Sequence, residues 1–266
     1  MAIRMWTHLS TTDFLGIDRE KYLVLLPFGS TEQHGPQLPV GTDCFLVEEV
    51  MRRLEPHVAD LDVLRLPTLW CTKSNEHSAF AGSLYLQAET IMAMVHDLAG
   101  AVSRSGFQKL VLLNWHGGNT DLLSAMAPDI RQRHHLTVFI IDIVRLFMGP
   151  TCDQAGDVAQ FDIHAGCYET GMMLAAHADL VKPGPYEGIG SDLERGPLAR
   201  SFGGYKYLIP EGGPVRVGWE TTDLTTDGVI GNPARANPEQ GDRDLHDMVA
   251  RVKEMLHEIA RFQYRS

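Results

Sequence analysis

Cysteine is scarce and scattered in this chain. Four residues, Cys44, Cys71, Cys152 and Cys167, form no Cys-x-x-Cys pair among 266 residues. They are read as reduced thiols of a cytoplasmic protein. Long hydrophobic runs are absent as well, and nothing approaches the ~18 apolar residues of a membrane span. The first 14 residues hold Arg4 but no continuous apolar stretch, so no signal peptide is expected. Positive charge is in deficit: 23 Lys plus Arg stand against 34 Asp plus Glu, a net charge of −11. That balance argues against nucleic acid or an anionic membrane as partner, and leaves a small-molecule substrate. Repeats and low-complexity tracts are missing. So are Gly-x-Gly-x-x-Gly and Walker-type loops, which removes the basis for a nucleotide-binding module.

What is present is a full core. The chain is 44% hydrophobic, and its length fits one large α/β domain about as well as two small ones. No stretch reads as a boundary, so one domain over residues 1–266 is expected. Apolar runs at 22–28, 61–66, 109–113 and 136–144 read as buried strands. Helical spacing marks 45–54, 90–104, the segment after Asn119 to Ile130, 168–177 and 242–264, with Asn119 as the expected N-cap of its helix. Strand–helix alternation predicts an α/β fold with a mostly parallel sheet covered on both sides. Residues 184–213 are rich in Gly and Pro with weak periodicity, and are read as long ordered loops or a lid.

Three segments carry chemistry, each at the end of a strand or the start of a helix. Glu32 and His34 follow the first long strand, with Asp43 shortly after. Asn114-Trp115-His116-Gly117-Gly118-Asn119 follows the 109–113 strand, and its glycines let backbone approach a ligand closely. Asp162-Ile163-His164 precedes Tyr168-Glu169 at the opening of another helix. Taken singly, each residue reads equally well as a cap or a satisfied core group. Together, in a parallel sheet, the loops converge on one edge, where open α/β sheets place ligands. Five candidate metal ligands (Glu32, His34, Asp43, His116 and Glu169) exceed the needs of one tetrahedral zinc and suit two divalent ions. Carboxylate and imidazole accept zinc, manganese or iron. Two such ions can hold a hydroxide between them and polarise a carbonyl. Trp115, Gly117, Gly118, Asn119, Phe161 and Tyr168 are candidate substrate-lining residues, and Asp162 a candidate support for a ligand histidine.

In order along the chain, Glu32-x-His34, Asp43, His116-Gly-Gly-Asn119 and His164-Ala-Gly…Glu169-Thr170 resemble the creatininase (creatinine amidohydrolase) family. The weaker segment Ser74-Asn75-Glu76-His77 also looks like a family loop. The resemblance implies a three-layer αβα fold, a dinuclear zinc or manganese site and hydrolysis of a carbon–nitrogen bond. It also implies a homo-oligomer, commonly a hexamer. Carried over, Glu32 and His116 would hold one ion, His34 and a distal carboxylate the other, and Asp43 would bridge. His164 would be the catalytic proton shuttle. Creatininase itself has His-Tyr-Glu at the second motif, whereas Gly117 and Gly118 stand here. Glu169 is therefore taken as the distal carboxylate and catalytic-site residue, with Asp121 as competitor. The departure weakens creatinine as substrate. It points to branches that act on formamides, on a cofactor-precursor peptide, or on the carbon–carbon bond of a keto-inositol. A non-catalytic metal-binding scaffold remains the rival class.

Overall fold

The computed structural model describes residues 3–148, 161–210 and 214–264. Cys152 and the last three residues of the 184–213 stretch lie outside them. The elements run β1 (Ile3–Met5), α1 (Thr11–Leu15), β2 (Leu23–Phe28), α2 (Thr42–Leu54), β3 (Val63–Arg65), α3 (Ala88–Arg104), β4 (Lys109–Asn114), α4 (Thr120–His134) and β5 (Thr137–Asp142). After them come α5 (Val144–Met148), α6 (Cys167–Ala176), α7 (Gly196–Phe202), α8 (Thr221–Leu224) and α9 (Pro238–Arg261).

The five strands form one sheet in the order β1-β3-β2-β4-β5. Every pairing is parallel, with Leu23 opposite both Val63 and Lys109. β2 is buried along its whole length, as a central parallel strand with helices on both faces must be. Its side chains alternate between two cores. Leu23 and Leu25 pack with α2, α6 and α9 through Leu46, Val50, Met172 and Val249. Val24, Leu26 and Phe28 pack on the other face with α3 and α4 through Ile91, Val95, Leu123 and Met126. The result is a three-layer αβα sandwich.

From β2 the chain moves outward to β3, then returns through α3 to β4 on the other side of β2. The carboxyl ends of β2 and β4 therefore flank a topological switch point, the usual ligand crevice of such sheets.

Several expectations shift at the edges. α2 begins at Thr42 rather than 45, because the Thr42 hydroxyl donates to the Pro39 carbonyl at 2.7 Å and Phe45 N–H closes on Gly41. Asp43 thereby falls in the first helical turn. Asn119 stands at the N-cap of α4, yet its side chain does not cap. It is fully buried, donating to Thr72 and Asn114 and accepting from Lys73 N–H. α9 starts at Pro238, earlier than 242, because Asn237 caps it by accepting from the Glu239 and Gln240 amides. β1 and α1 have no counterpart in the sequence reading. No helix among the described residues is long and apolar enough to cross a membrane.

Candidate active site

The loop after β2 is held against α2 by close backbone approach. A Cβ on Gly29 would lie 2.7–2.9 Å from Cys44, so only glycine lets the end of β2 meet the helix N-terminus. Glu32 N–H donates to Val40 O at 2.8 Å and closes the loop. That closure sets Glu32 and His34 beside Asp43. Across the switch point, Trp115 N–H donates to Phe28 O and brings His116 to the same crevice. The fourth contribution comes from the segment ahead of α6. His164 pairs through its backbone with Ile230 at 2.9–3.0 Å. Ala165 takes a left-handed φ of 55° and turns its N–H onto Glu169 Oε2 at 2.6 Å.

The five sequence-predicted ligands converge. His34 Nε2 lies 3.3 Å from Asp43 Oδ1 and 3.8 Å from Glu169 Oε2. His116 Nδ1 lies 3.1 Å from Glu32 Oε2 and 3.3 Å from Asp43 Oδ2. Asp43 thus faces a different imidazole with each oxygen. Asp121, the competitor for the distal position, is not among the converging groups: it lies on the wall of the cavities over the site, 65% exposed and paired with Arg216.

Both imidazoles are oriented from behind. His34 Nδ1 sits 3.0 Å from the Glu32 carbonyl, and His116 Nε2 2.7 Å from the Lys73 carbonyl. A carbonyl can only accept, so the outer nitrogen carries a proton and the inner nitrogen is the one left to offer its lone pair to a cation, the arrangement of metal-binding histidines. His34 Nε2 and Asp43 Oδ2 are buried and have no hydrogen-bond partner among the described residues. Buried polar atoms left in that state are costly, and a cation between them removes the cost. The donor set of nitrogen and carboxylate oxygen suits zinc or manganese. The residues present therefore fit divalent metal binding.

Electrostatics agree. Burial disfavours charge on His34, but Asp43 and Glu169 outweigh it and raise its pKa well above the ordinary imidazole value. His116 is raised in the same way, against burial, by Glu32 and Asp43. Asp43 and Glu169 are lowered, against burial, chiefly by His34. The pocket is short of positive charge. His164 is different: burial and the neighbouring His34 lower its pKa.

The Creatininase family profile, described as creatinine amidohydrolase, matches residues 7–256. The chain belongs to the creatininase family. It is accordingly a metal-dependent hydrolase of the amidohydrolase type. Among curated relatives, a mycofactocin precursor peptide peptidase of Mycobacterium ulcerans (strain Agy99) is 28% identical over 235 residues, covering 85% of this chain and 81% of the relative. A creatinine amidohydrolase of Pseudomonas putida is 26% identical over 171 residues, covering 60% and 66%. A crystal structure of a Bacteroides fragilis NCTC 9343 protein shares the fold at TM-score 0.75 and 20% identity, covering 99% of this chain and 98% of that one. A manganese creatininase has a TM-score of 0.69 at 21% identity, covering 97% of this chain and 99% of that one.

Two adjoining cavities of about 470 and 370 Å³ open onto the creatininase-family site and share Glu32, His116, Gly117 and His164. Gly118 lines the larger and Trp115 the smaller, although Trp115 is only 2% exposed. Three expected lining residues do not reach either cavity. Asn119 is consumed by the internal bonds given above. Tyr168 packs in the core with α2 and α9, and Phe161 packs with Leu198 and Phe202. Asp162 does not support a ligand histidine; it accepts from the Cys167 and Tyr168 amides and fixes the start of α6. Burial pushes its carboxyl up to about 6.

The structure adds residues to which the sequence reading gave no role. Ser74 donates to Glu32 Oε2, and His77 Nε2 lies 3.5 Å from Glu32 Oε1. Burial pushes Glu76 up, but His116 and Lys73 outweigh it and hold its carboxyl at about 2. Glu76 and His77 sit on a 3-10 turn, Asn75–His77, with Ser74 at its N-cap and no long strand before it. The one signal in the sequence was the family-like segment from Ser74.

Proposed function

We propose that this chain is a single catalytic domain that hydrolyses the carbon–nitrogen bond of an amide in a small polar substrate, using two divalent ions. The observation that carries this reading is Asp43, whose two oxygens each lie 3.3 Å from the inward nitrogen of a different histidine. One carboxylate placed that way serves two donor sets. Glu32 and His116 complete one set, and His34 and Glu169 the other. When bound, the ions supply an activated water near neutral pH and polarise the substrate carbonyl.

The chain's own groups do the rest. His164 Nε2–H donates to the Gln33 carbonyl at 2.6 Å, which leaves Nδ1 unprotonated and turned toward Glu32, 3.6 Å away. The lowered pKa keeps that imidazole neutral, so Nδ1 takes a proton from the attacking water and returns it to the leaving nitrogen. The backbone at Gly117 and Gly118 lies open to the cavity and offers amides to the developing oxyanion. The cavity volume suits a small ligand or a short stretch of peptide. The relationship to a peptidase over most of its length favours linear amides over creatinine.

The test is elemental analysis of protein purified without chelator, followed by turnover assays on formamides, short peptides, cyclic amides and keto-inositols. About two zinc or manganese ions per chain and cleavage of an amide are expected. Asp43→Ala should lose both metal and turnover. Full metal and full rate in that variant would end the dinuclear reading, and turnover of keto-inositols alone would move the activity to a carbon–carbon bond.

A further inference from the structure

Four histidines crowd the crevice, and they do not all face it with the same atom. His34, His116 and His164 each give their outer N–H to a backbone carbonyl and leave the inner nitrogen for the site. His77 is stacked on His164, ring centroids 4.2 Å apart and tilted by 33°. It sits with Glu32 and His164 in a triad compact enough to hold an ion. Its outer nitrogen, however, faces an amide N–H and a hydroxyl instead of a carbonyl.

Gln33, the residue between Glu32 and His34, supplies the decisive one. Its Oε1 accepts from Gly35 N–H at 2.9 Å, which fixes the orientation of the amide. Its Nε2 then donates to Gly228 O at 2.9 Å and points a second N–H at His77 Nδ1, 2.8 Å away. The Thr221 hydroxyl lies 2.8 Å from the same nitrogen and 2.9 Å from the Glu76 carbonyl. A proton on His77 Nδ1 would meet the Gln33 N–H head on. The proton therefore belongs on Nε2, which faces Glu32 Oε1 at 3.5 Å.

We propose that Gln33 is a positioning residue: its side-chain amide fixes His77 as a hydrogen-bond donor into the site, so that His77 steadies the outer oxygen of Glu32 and does not bind metal. The same residue sets the opposite polarity in His164, whose Nε2–H it receives on its backbone carbonyl. One glutamine thus gives two stacked imidazoles opposite roles, a donor in His77 and an acceptor in His164. Its side chain is locked in place from the far side, since a Cβ on Gly228 would come within 1.9 Å of Gln33 Oε1. The inference rests on the dinuclear reading for its catalytic consequence, but the tautomer of His77 can be read without it.

Nitrogen-15 spectra of histidine-labelled, metal-loaded protein give that tautomer directly, with the His77 signals assigned from the spectrum of His77→Gln. A pyridine-type Nδ1 and a pyrrole-type Nε2 are expected for His77. Gln33→Glu places an acceptor where the amide donates, and should exchange the two signals while lowering kcat by about 10–100-fold. His77→Gln keeps an N–H near the Nε2 position. It should keep full metal content and retain more turnover than His77→Ala, which should also keep its metal. Loss of one ion per chain in His77→Gln, or a protonated Nδ1 in the wild-type spectrum, would overturn the proposal. Wild-type protein that binds no metal but shows the expected tautomer would refute the dinuclear reading and leave the role of Gln33 standing.

Discussion

At the scale of the residue, Asp43 and Gly118 decide the geometry by opposite means. Asp43 brings two oxygens to one point. Gly118 brings nothing, and that is its contribution. A Cβ there would lie 2.2 Å from Glu76 Oε1, 2.4 Å from His116 Nε2 and 2.7 Å from the Lys73 carbonyl. Those are the outer nitrogen of His116 and the two oxygens behind it, and the Lys73 carbonyl is backbone that cannot swing aside. Gly118→Ala should therefore cut metal affinity or turnover by about 10–100-fold, the usual cost of disturbing a ligand's supporting bond. Gly117→Ala is the control for metal content, because nothing lies within 4 Å of its Cβ position. Elemental analysis of the two variants checks the contrast. Equal metal in both would mean that His116 does not depend on the Lys73 carbonyl. The candidate ligands were legible in the sequence because each follows an apolar run or opens a helix. His77 and the Gln33 brace were not. Their contacts join residues 44 and 195 positions apart, which no local pattern encodes.

At the scale of the element, helical periodicity located α2, α3, α4 and α9, because each presents a continuous apolar face to one of the two cores. β1 escaped because an edge strand of three residues contributes one buried side chain, Ile3. α1 has no fully buried residue, and rests on its Ser10–Asp13 capping box. The α6–α9 contact was equally hidden, since its key residues are glycines. A Cβ on Gly241 would sit 2.2 Å from the backbone of Gly171 and 2.5 Å from Met172 N, so the two helices touch backbone to backbone. α6 carries Glu169 two residues before that contact. Gly241→Ala should destabilise by about 1–3 kcal/mol through overpacking. For a chain of this size that lowers Tm by about 2–12 °C. Displacing α6 should also shift Glu169 and reduce turnover. His246→Ala, exposed on the same helix, should leave Tm nearly unchanged. Calorimetry of both variants tests the argument, and an unshifted Tm for Gly241→Ala would show that the helices can part without cost.

At the scale of the whole molecule, the site ties together pieces that the chain keeps far apart. Glu32 and His34 extend from β2, Asp43 opens α2, His116 extends from β4, and Glu169 opens α6. Those elements belong to the central sheet and to the helical layer that also contains α9. Without a cation, the buried Glu32 and Asp43 and the partly buried Glu169 must be balanced by protons on His34 and His116, whose pKa values are raised by those same carboxylates. A divalent ion replaces that compromise and binds only where all four elements meet, so it stabilises the native state over the unfolded one. Ligand present at a hundredfold excess over its Kd contributes about 2.7 kcal/mol. For a chain of this size, that corresponds to a rise in Tm of about 5–10 °C. Stripping the protein with a chelator and dialysing the chelator away should lower Tm by that amount, and adding zinc or manganese should restore it. Asp43→Ala should show a much smaller response to added metal, because both donor sets lose a member. A chelated protein shown by elemental analysis to be metal-free, yet melting with the untreated one, would mean that the crevice is preorganised by packing alone.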